Sequence, residues 1–306
     1  MALLVVKPGL LTTIQDLGRW GSQHRGVGVA GPMDSVSHRL ANLLVGNESS
    51  AATLEITLLG PEIVFEKDAL FGVTGARFAV TLDGQHVSMN TVCAAAAGSL
   101  LRFARRTSGA RAYLAVAGGI GVTPVLGSRA THLPSRMGGL CGRAVAAGDR
   151  LPIGLESAIA RKPGYSRPEA LALERAVTVR VLAGPQDRYF GDAGLRVLQS
   201  APYRVATESN RMGYRLEGPQ LPRLDSAEVL SAATPIGSLQ VPPTGVPILL
   251  MADRQTTGGY PRIATVITAD VPLAGQLAPG DAIAFCLCDS AVARAALAEQ
   301  ERILAS

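Results

Sequence analysis

A mainly β chain of two domains is predicted from three observations. Many short apolar runs are each bounded by Gly, Pro, Asp or Asn, helical periodicities are too few to alternate with them, and 306 residues exceed one core of ordinary size. Short strands separated by turn signals point to barrels or sandwiches, not to a parallel sheet clad in helices.

Taken in order, the first half offers strands at Leu3–Val6, Thr53–Thr57, Glu62–Phe65, Leu70–Thr74, Phe78–Leu82, Ser99–Phe103 and Ala110–Val116. The second half repeats the style at Val177–Leu182, Tyr203–Thr207, Ile248–Met251, Ile263–Thr268 and Ala282–Leu287. The clearest helix is Ser35–Val45, with Asp34 as N-cap, Val36, Leu40, Leu43 and Leu44 on one face, and Gly46 at its stop. A second helix begins near Gln186, and Ser290–Leu304 reads as an amphipathic tail capped by Asp289. Each half closes on a Gly-Asp turn feeding a strand, Gly148-Asp149 and Gly280-Asp281. Such a turn is too common to establish duplication by itself. The Pro- and Gly-punctuated stretch 156–176 reads as a linker with a little helix, which places one domain at 1–155 and the other at 177–306.

Composition excludes several classes of function. No apolar run reaches the ~18 residues of a membrane span, and Met1 leads straight into an apolar strand with no basic leader. The expected location is therefore cytoplasmic. The net charge is +5, but the basic residues are scattered without interleaved aromatics, which argues against nucleic acid. Cys93, Cys141, Cys286 and Cys288 form no CxxC pair and the histidines lie far apart, so no metal site is expected. Cys286 and Cys288, in an apolar run, are read as buried free thiols. Only Lys7, Lys67 and Lys162 are lysines, and none sits in a biotin-carrying Ala-Met-Lys-Met-like turn. Any biotin would have to arrive on another chain.

Three segments are dense in polar residues without strand or helix periodicity. Pro8–Arg19 carries Gln15, Asp16 and Arg19, and Asp34 and Asn42 follow it. The plain reading is a polar loop with an internal Asp16–Arg19 pair. Ser209–Arg215 sets Arg211 and Arg215 four residues apart beside an amide and a phenol, a set able to clamp an anion from an extended loop. A solvated turn is the plain alternative. Asp253–Tyr260, entered from an apolar strand, brings Arg254, Gln255, Thr256 and Thr257 ahead of Gly258-Gly259, which suits a site rim. No P-loop, GxSxG or HExxH is present, and Gly118-Gly119-Ile120-Gly121 lacks dinucleotide spacing.

Together, Pro8-Gly9 with Thr12–Arg19, Gly31–Asp34, Ala41-Asn42, Leu54-Glu55, Ala115–Ile120, Gly127–Arg129, Arg211–Leu216, Gln240–Pro242 and Asp253–Tyr260 resemble the KipA / allophanate-hydrolase-subunit-2 family of biotin-dependent carboxyltransferase-like proteins. The match runs in order from about residue 3 to 287; Ala130 stands where the family often has a polar residue. The resemblance implies two tandem cyclophilin-like β-barrel domains with a few short helices. It further implies partners of the KipI / allophanate-hydrolase-subunit-1 type and of the LamB/YcsF type.

The activity that this resemblance implies first is that of the C-subunit in a bacterial ATP-dependent 5-oxoprolinase, which opens the lactam of 5-oxo-L-proline to L-glutamate and is not active as a lone chain. The LamB/YcsF-like and KipI-like chains would be its A- and B-subunits, and ATP would bind at a shared or partner site. In that reading Asp16, Asp34, Asp253 and Arg254 are the candidate catalytic residues. Gln15, Arg19, Asn42, Arg211, Arg215, Gln240, Gln255, Thr256, Thr257 and Tyr260 are the candidates for binding a small amide substrate. The alternatives are a biotin-dependent carboxyltransferase component of a urea amidolyase and a non-catalytic antagonist of a KipI-like inhibitor.

Overall fold

The computed structural model describes residues 2–155, 161–171, 173–224 and 229–305. The chain packs as two compact units, residues 1–20 with 30–173, and residues 21–29 with 174–306.

One nine-stranded sheet forms the first unit: β1 (Ala2–Lys7), β2 (Leu11–Gln15), β3 (Thr53–Thr57), β4 (Glu62–Phe65), β5 (Ala69–Leu82), β6 (Gln85–Val87), β7 (Cys93–Ala95), β8 (Leu100–Val116) and β9 (Arg150–Pro152). Its ladder runs β2-β3-β8-β4-β1-β9, with β5 on β8 and the short β6 and β7 on β5. The end strands β2 and β9 are not paired with each other, so the sheet curls as a half-barrel without closing. Strands β5 and β8 each unite two runs that the sequence separates. Register shifts between Gly75 and Val80 absorb the polar interruption, because a bulge bends and twists a strand without ending it. The core between the curled faces is aliphatic, with Phe65 and Phe71 in contact at 5.2 Å between ring centroids. Helix α1 (Ser35–Leu44) begins where Asp34 accepts from Ser37 N at 2.9 Å and buries Val36, Leu40, Ala41 and Leu44. It packs against β5 and β8, with Leu44 and Val45 lying over Gly72 of β5.

In the second unit β10 (Ala176–Ala183), β11 (Tyr203–Val205), β12 (Gly213–Glu217), β14 (Ser238–Gln240), β15 (Ile248–Leu250), β17 (Arg262–Val266) and β18 (Ala282–Leu287) close a barrel in the order β10-β17-β14-β15-β12-β11-β18. The parallel ladder from Ala176↔Ala282 to Val181↔Leu287 makes the closure. A separate two-residue ribbon pairs β13 (Ala232–Ala233) with β16 (Thr257–Gly258). The helices are α2 (Gly191–Ser200), the short α3 (Val271–Gly275) and α4 (Ser290–Ala305), whose first amides donate to Asp289. No helix among the described residues is long and apolar enough to cross a membrane.

The architecture is mainly β with few helices, as strand density predicts. Several local expectations are revised. Gln186 begins a single 3-10 turn at Asp187–Tyr189, and α2 follows it. Helix α3, five residues around Pro272, is too short to show periodicity. Cys286 is exposed and Cys288 partly so, because alternation along β18 sends Ile283 and Phe285 inward and Cys286 outward. Part of the stretch 156–176 (156–160 and 172) lies outside the described residues. What is described at 161–171 contains no helix; instead Gly164, Tyr165 and Arg167 exchange backbone bonds with Asn90 and Val92 of the first unit.

The two Gly-Asp turns are built alike. Gly148 N donates to Val5 O, and Val5 N donates to Asp149 O; Gly280 N donates to Val205 O, and Val205 N to Asp281 O. Asp149 accepts from Ala146 N at 2.7 Å and Asp281 from Ala278 N at 2.9 Å, while φ is +88° at both glycines. A shared bonding pattern of this kind supports a duplicated origin far better than the dipeptide does.

Candidate functional site

Strands β12, β14 and β15 form the wall of a cavity of about 210 Å³ in the second unit, and segments 208–212 and 255–260 form its rim. Four of the sequence-selected residues, Arg215, Gln240, Gln255 and Tyr260, line it together. Glu208, Asn210 and Met212 line it as well; only their place in or beside the polar segment 209–215 could have signalled them. Gln240 is 2% exposed. Its Oε1 accepts from Gln255 Nε2 at 3.1 Å, while its own Nε2 is buried and has no partner. A buried amide donor with nothing to bond costs free energy unless a bound molecule supplies an acceptor. Gly258 is what lets the rim lie over this amide, since a Cβ there would fall 2.4 Å from Gln240 Nε2. The exposed Arg215 adds a cation, Glu208 an acceptor, and the half-exposed Tyr260 an aromatic edge. Such a set can bind a small molecule carrying a carboxylate and an amide carbonyl.

The polar residues flanking this cavity do another job. Arg211 and Asp253 form a bidentate ion pair, Nε to Oδ2 and Nη2 to Oδ1 at 3.0 Å each, with side chains 4% and 1% exposed. Asp253 N also donates to Arg211 O, which rivets the approach to β12 onto the segment leaving β15. The two guanidinium groups of 211–215 therefore separate: one is consumed by the fold, and one faces the cavity. Arg254 donates from Nε to Thr234 O at 2.7 Å, and burial pulls its pKa down to about 10 despite the adjacent Asp253 charge. Thr256 is half-buried with its carbonyl accepting from Thr234 N, and Thr257 is exposed on β16.

In the first unit the selected residues brace loops. Read as loop, residues 11–15 are strand β2, whose Thr12, Thr13 and Gln15 are buried because each finds an internal partner. Asp16 accepts from Gly18 N, Ser128 Oγ and Arg129 N. Arg19, fully buried, donates to Val125 O and Ala130 O, so Asp16 and Arg19 grip one loop from two sides. Burial lowers the Arg19 pKa, with Asp16 opposing. Asn42 donates to Ala51 O at 2.7 Å and accepts from Asn47.

Around Asp34 lies a buried polar network that sequence reasoning did not single out. Glu55 accepts from Met33 N and from Tyr113 Oη at 2.8 Å, and the same Oη accepts from Asp34 N at 2.8 Å. Burial, then the Glu55 and Asp34 charges, push the Tyr113 phenol well above its ordinary pKa. His38, 2.9 Å from Thr53 Oγ1, is pulled down to about 4 by burial and is neutral at pH 7. An open cavity of about 540 Å³ in this unit is lined by segments 121–125 and 136–142, whose only sequence signal is glycine density.

Comparison with known proteins places these observations. The family described as carboxyltransferase domain, subdomain A and B, matches residues 25–287. The chain is 41% identical over 303 residues to the 5-oxoprolinase C-subunit of Escherichia coli, covering 98% of this chain and 96% of that protein. Among solved structures it resembles TTHA0988 with a TM-score of 0.84 and 41% identity, covering 93% of this chain but 55% of that one. It also resembles the Kluyveromyces lactis urea amidolyase with a TM-score of 0.92 and 31% identity, covering 99% of this chain and 20% of that one. The chain thus spans about half of the first of these structures and a fifth of the second.

Proposed function

The chain belongs to the carboxyltransferase domain, subdomain A and B, family, and from that premise we propose that it is the C-subunit of a bacterial ATP-dependent 5-oxoprolinase. The observation that carries this reading is the cavity of the second unit, which Gln240, with its unpaired Nε2, and Arg215 line together in a chain 41% identical to such a subunit.

A five-membered lactam bearing a carboxylate matches those groups. Arg215 holds the carboxylate, and Gln240 Nε2 donates to the lactam oxygen. Gln255 fixes the orientation of that amide, and Glu208 accepts the lactam N–H. An amide carbon is a poor electrophile; ATP, bound at a shared or partner site, supplies the phosphoryl group that turns the lactam oxygen into a leaving group. Water then adds to the ring carbon and the C–N bond breaks to free the amine of glutamate, leaving an acyl phosphate; a second water attacks that acyl carbon and displaces phosphate, which completes the side-chain carboxylate. Charge builds on the lactam oxygen along this path, and a donor already aimed at it stabilises that charge without reorganising. Arg211, Asp253 and Arg254 act as positioning residues beneath the cavity. Partner chains of the KipI and LamB/YcsF types complete the enzyme.

The second reading, a carboxyltransferase component acting with a biotin carrier on urea or a related amide, is favoured by the resemblance to urea amidolyase. Co-expression with the two partner chains and an assay of ATP-dependent glutamate release from 5-oxoproline, with and without avidin, separates the two. Release that requires all three chains and ignores avidin is expected; avidin-sensitive carboxylation of urea without glutamate release would transfer the assignment.

A further inference from the structure

The cavity of the first unit is unused by the reaction above, and the segments that line it carry arginine but no carboxylate, although Asp16 braces the loop behind it and Asp149 pairs with Arg143. Between Asp83 and Asp149 the chain carries no acidic residue, while arginines recur at 102, 105, 106, 111, 129, 136 and 143. Two buried anchors hold the lining from behind: Arg129 Nε donates to Val122 O and Arg19 Nε to Val125 O, each at 2.8 Å. Arg19 is fully buried and its Nη1 has no partner, a charged donor left open directly behind the lining residues Val125 and Gly138. Gly138 has no room for a side chain there: a Cβ would lie 2.1 Å from Ala130 O and 2.5 Å from Arg19 Nη2.

The segment 136–142 has a backbone suited to anions. Arg136, Gly138, Gly139, Cys141 and Gly142 all have positive φ, so the segment joins no regular ladder and its N–H groups must find partners outside one. The Gly139 and Gly142 amides donate to Arg129 O and Gly138 O. Among the described residues the amides of Gly138 and Cys141 donate to no protein acceptor, and both residues line the cavity. An orphaned N–H at a buried residue such as Gly138 is rare in a folded protein. The exposed guanidinium of Arg136 lines the same space. At about 540 Å³, partly walled by Val122, Val125 and Met137, the cavity holds more than a bare ion.

We propose that this cavity binds a phosphate-bearing ligand, its oxyanion held by the Gly138 and Cys141 amides and the Arg136 guanidinium, and the rest of the molecule against the apolar wall. Two unpaired amides and one guanidinium on a single lining suit the several equivalent oxygens of a phosphate, and the Arg136 charge favours an anion over a neutral ligand. The site is independent of the lactam cavity, so it stands whether or not the chain opens 5-oxoproline.

Cys141 supplies the readout, because its thiol is exposed in the lining, and Cys286, exposed in the second unit, serves as the internal control. Alkylation of each cysteine in the purified full chain is followed by peptide mass spectrometry, with inorganic phosphate, Mg-ATP or chloride at matched ionic strength. The expected result is saturable, several-fold protection of Cys141 by a phosphate compound with Cys286 unchanged, and loss of that protection in Arg136→Ala at an unaltered melting temperature. Protection by inorganic phosphate identifies a free-oxyanion site, and protection by Mg-ATP alone a nucleotide site. No protection by either at millimolar concentration, or equal protection in Arg136→Ala, overturns the proposal.

Discussion

Gln255 Nε2 donates to Gln240 Oε1 at 3.1 Å, and that bond decides which end of the Gln240 amide is left open. With Oε1 engaged, only the NH2 group remains for a ligand, which makes Gln240 a donor site for a carbonyl oxygen. Gln240→Met keeps the volume and removes the donor. In the assembled complex kcat for 5-oxoproline is expected to fall by about 100-fold, the usual loss for one donor aimed at a developing oxyanion. The loss of stability should stay near ~1 kcal/mol, readable by denaturant titration. Unchanged turnover would remove Gln240 from the site.

Arg215 is exposed on β12 and lines the same cavity, so its removal costs the fold little. Arg215→Ala should raise KM for 5-oxoproline by roughly 10- to 100-fold, the equivalent of a charge-assisted bond of ~1.5–3 kcal/mol, with kcat less affected. Arg215→Lys should recover part of the loss, because a point charge replaces a bidentate fork. A steady-state split in which kcat collapses and KM holds would assign Arg215 to the chemistry instead of to carboxylate binding.

Arg211 and Asp253 behave in the opposite way, since each is buried with the other as its partner. Asp253→Ala is expected to cost ~3–5 kcal/mol by stranding a buried guanidinium, and Arg211→Met similarly for the carboxylate. The double replacement Arg211→Met with Asp253→Leu should recover much of that loss, because neither charge is then left alone. A thermodynamic cycle with additive single losses would show that the pair is not coupled.

These contrasts mark how far the sequence could be read. Asp34 as N-cap, the strands β3, β4 and β18, and helix α4 follow from patterns of three to six residues and are found where those patterns put them. The polar strands β2 and β12 do not follow, because Thr12, Thr13 and the Gln15 Nε2 find hydrogen-bond partners as distant as Thr131, and alternation of apolar with polar residues is then no guide to burial. For the same reason Arg211 and Arg215 are indistinguishable in sequence. Only the long-range partner Asp253 makes one a strut and leaves the other in the cavity. The cavity of the first unit is defined by backbone conformation at 136–142, which side-chain identity signals only through its glycines.

His38 gives the fold a pH dependence. It is buried among Thr53, Asn42 and the backbone of Ser49, with Asp16 and Glu55 attracting its proton and Arg39 repelling it; burial dominates and holds it near 4 against an ordinary 6.5. Between those values the unfolded chain binds the proton and the folded chain does not, so stability falls as pH drops from 6.5 toward 4. The shift corresponds to about 3 kcal/mol when fully expressed. Urea titrations across this range should show that slope, and His38→Gln should flatten it. An identical slope in the variant would place the acid sensitivity elsewhere, among the buried carboxylates.

The twin turns allow a prediction about both units at once. Gly148 and Gly280 share φ of +88°, and a Cβ at either would meet nothing within 4 Å. Substitution by Ala therefore introduces backbone strain without a clash, and Gly148→Ala and Gly280→Ala should each cost ~1–2 kcal/mol. Asp149→Ala and Asp281→Ala each remove a carboxylate that accepts a turn amide and pairs with an arginine, Arg143 in one case and Arg175 in the other. The partner arginines are exposed, so the lost amide bond dominates, at ~1 kcal/mol in either variant. Matched losses within each pair of variants, measured by hydrogen exchange at the amides of Val5 and Val205, are expected if the two turns do the same work. Protection lost at one valine and retained at the other would mean that only one turn still holds its strand in place.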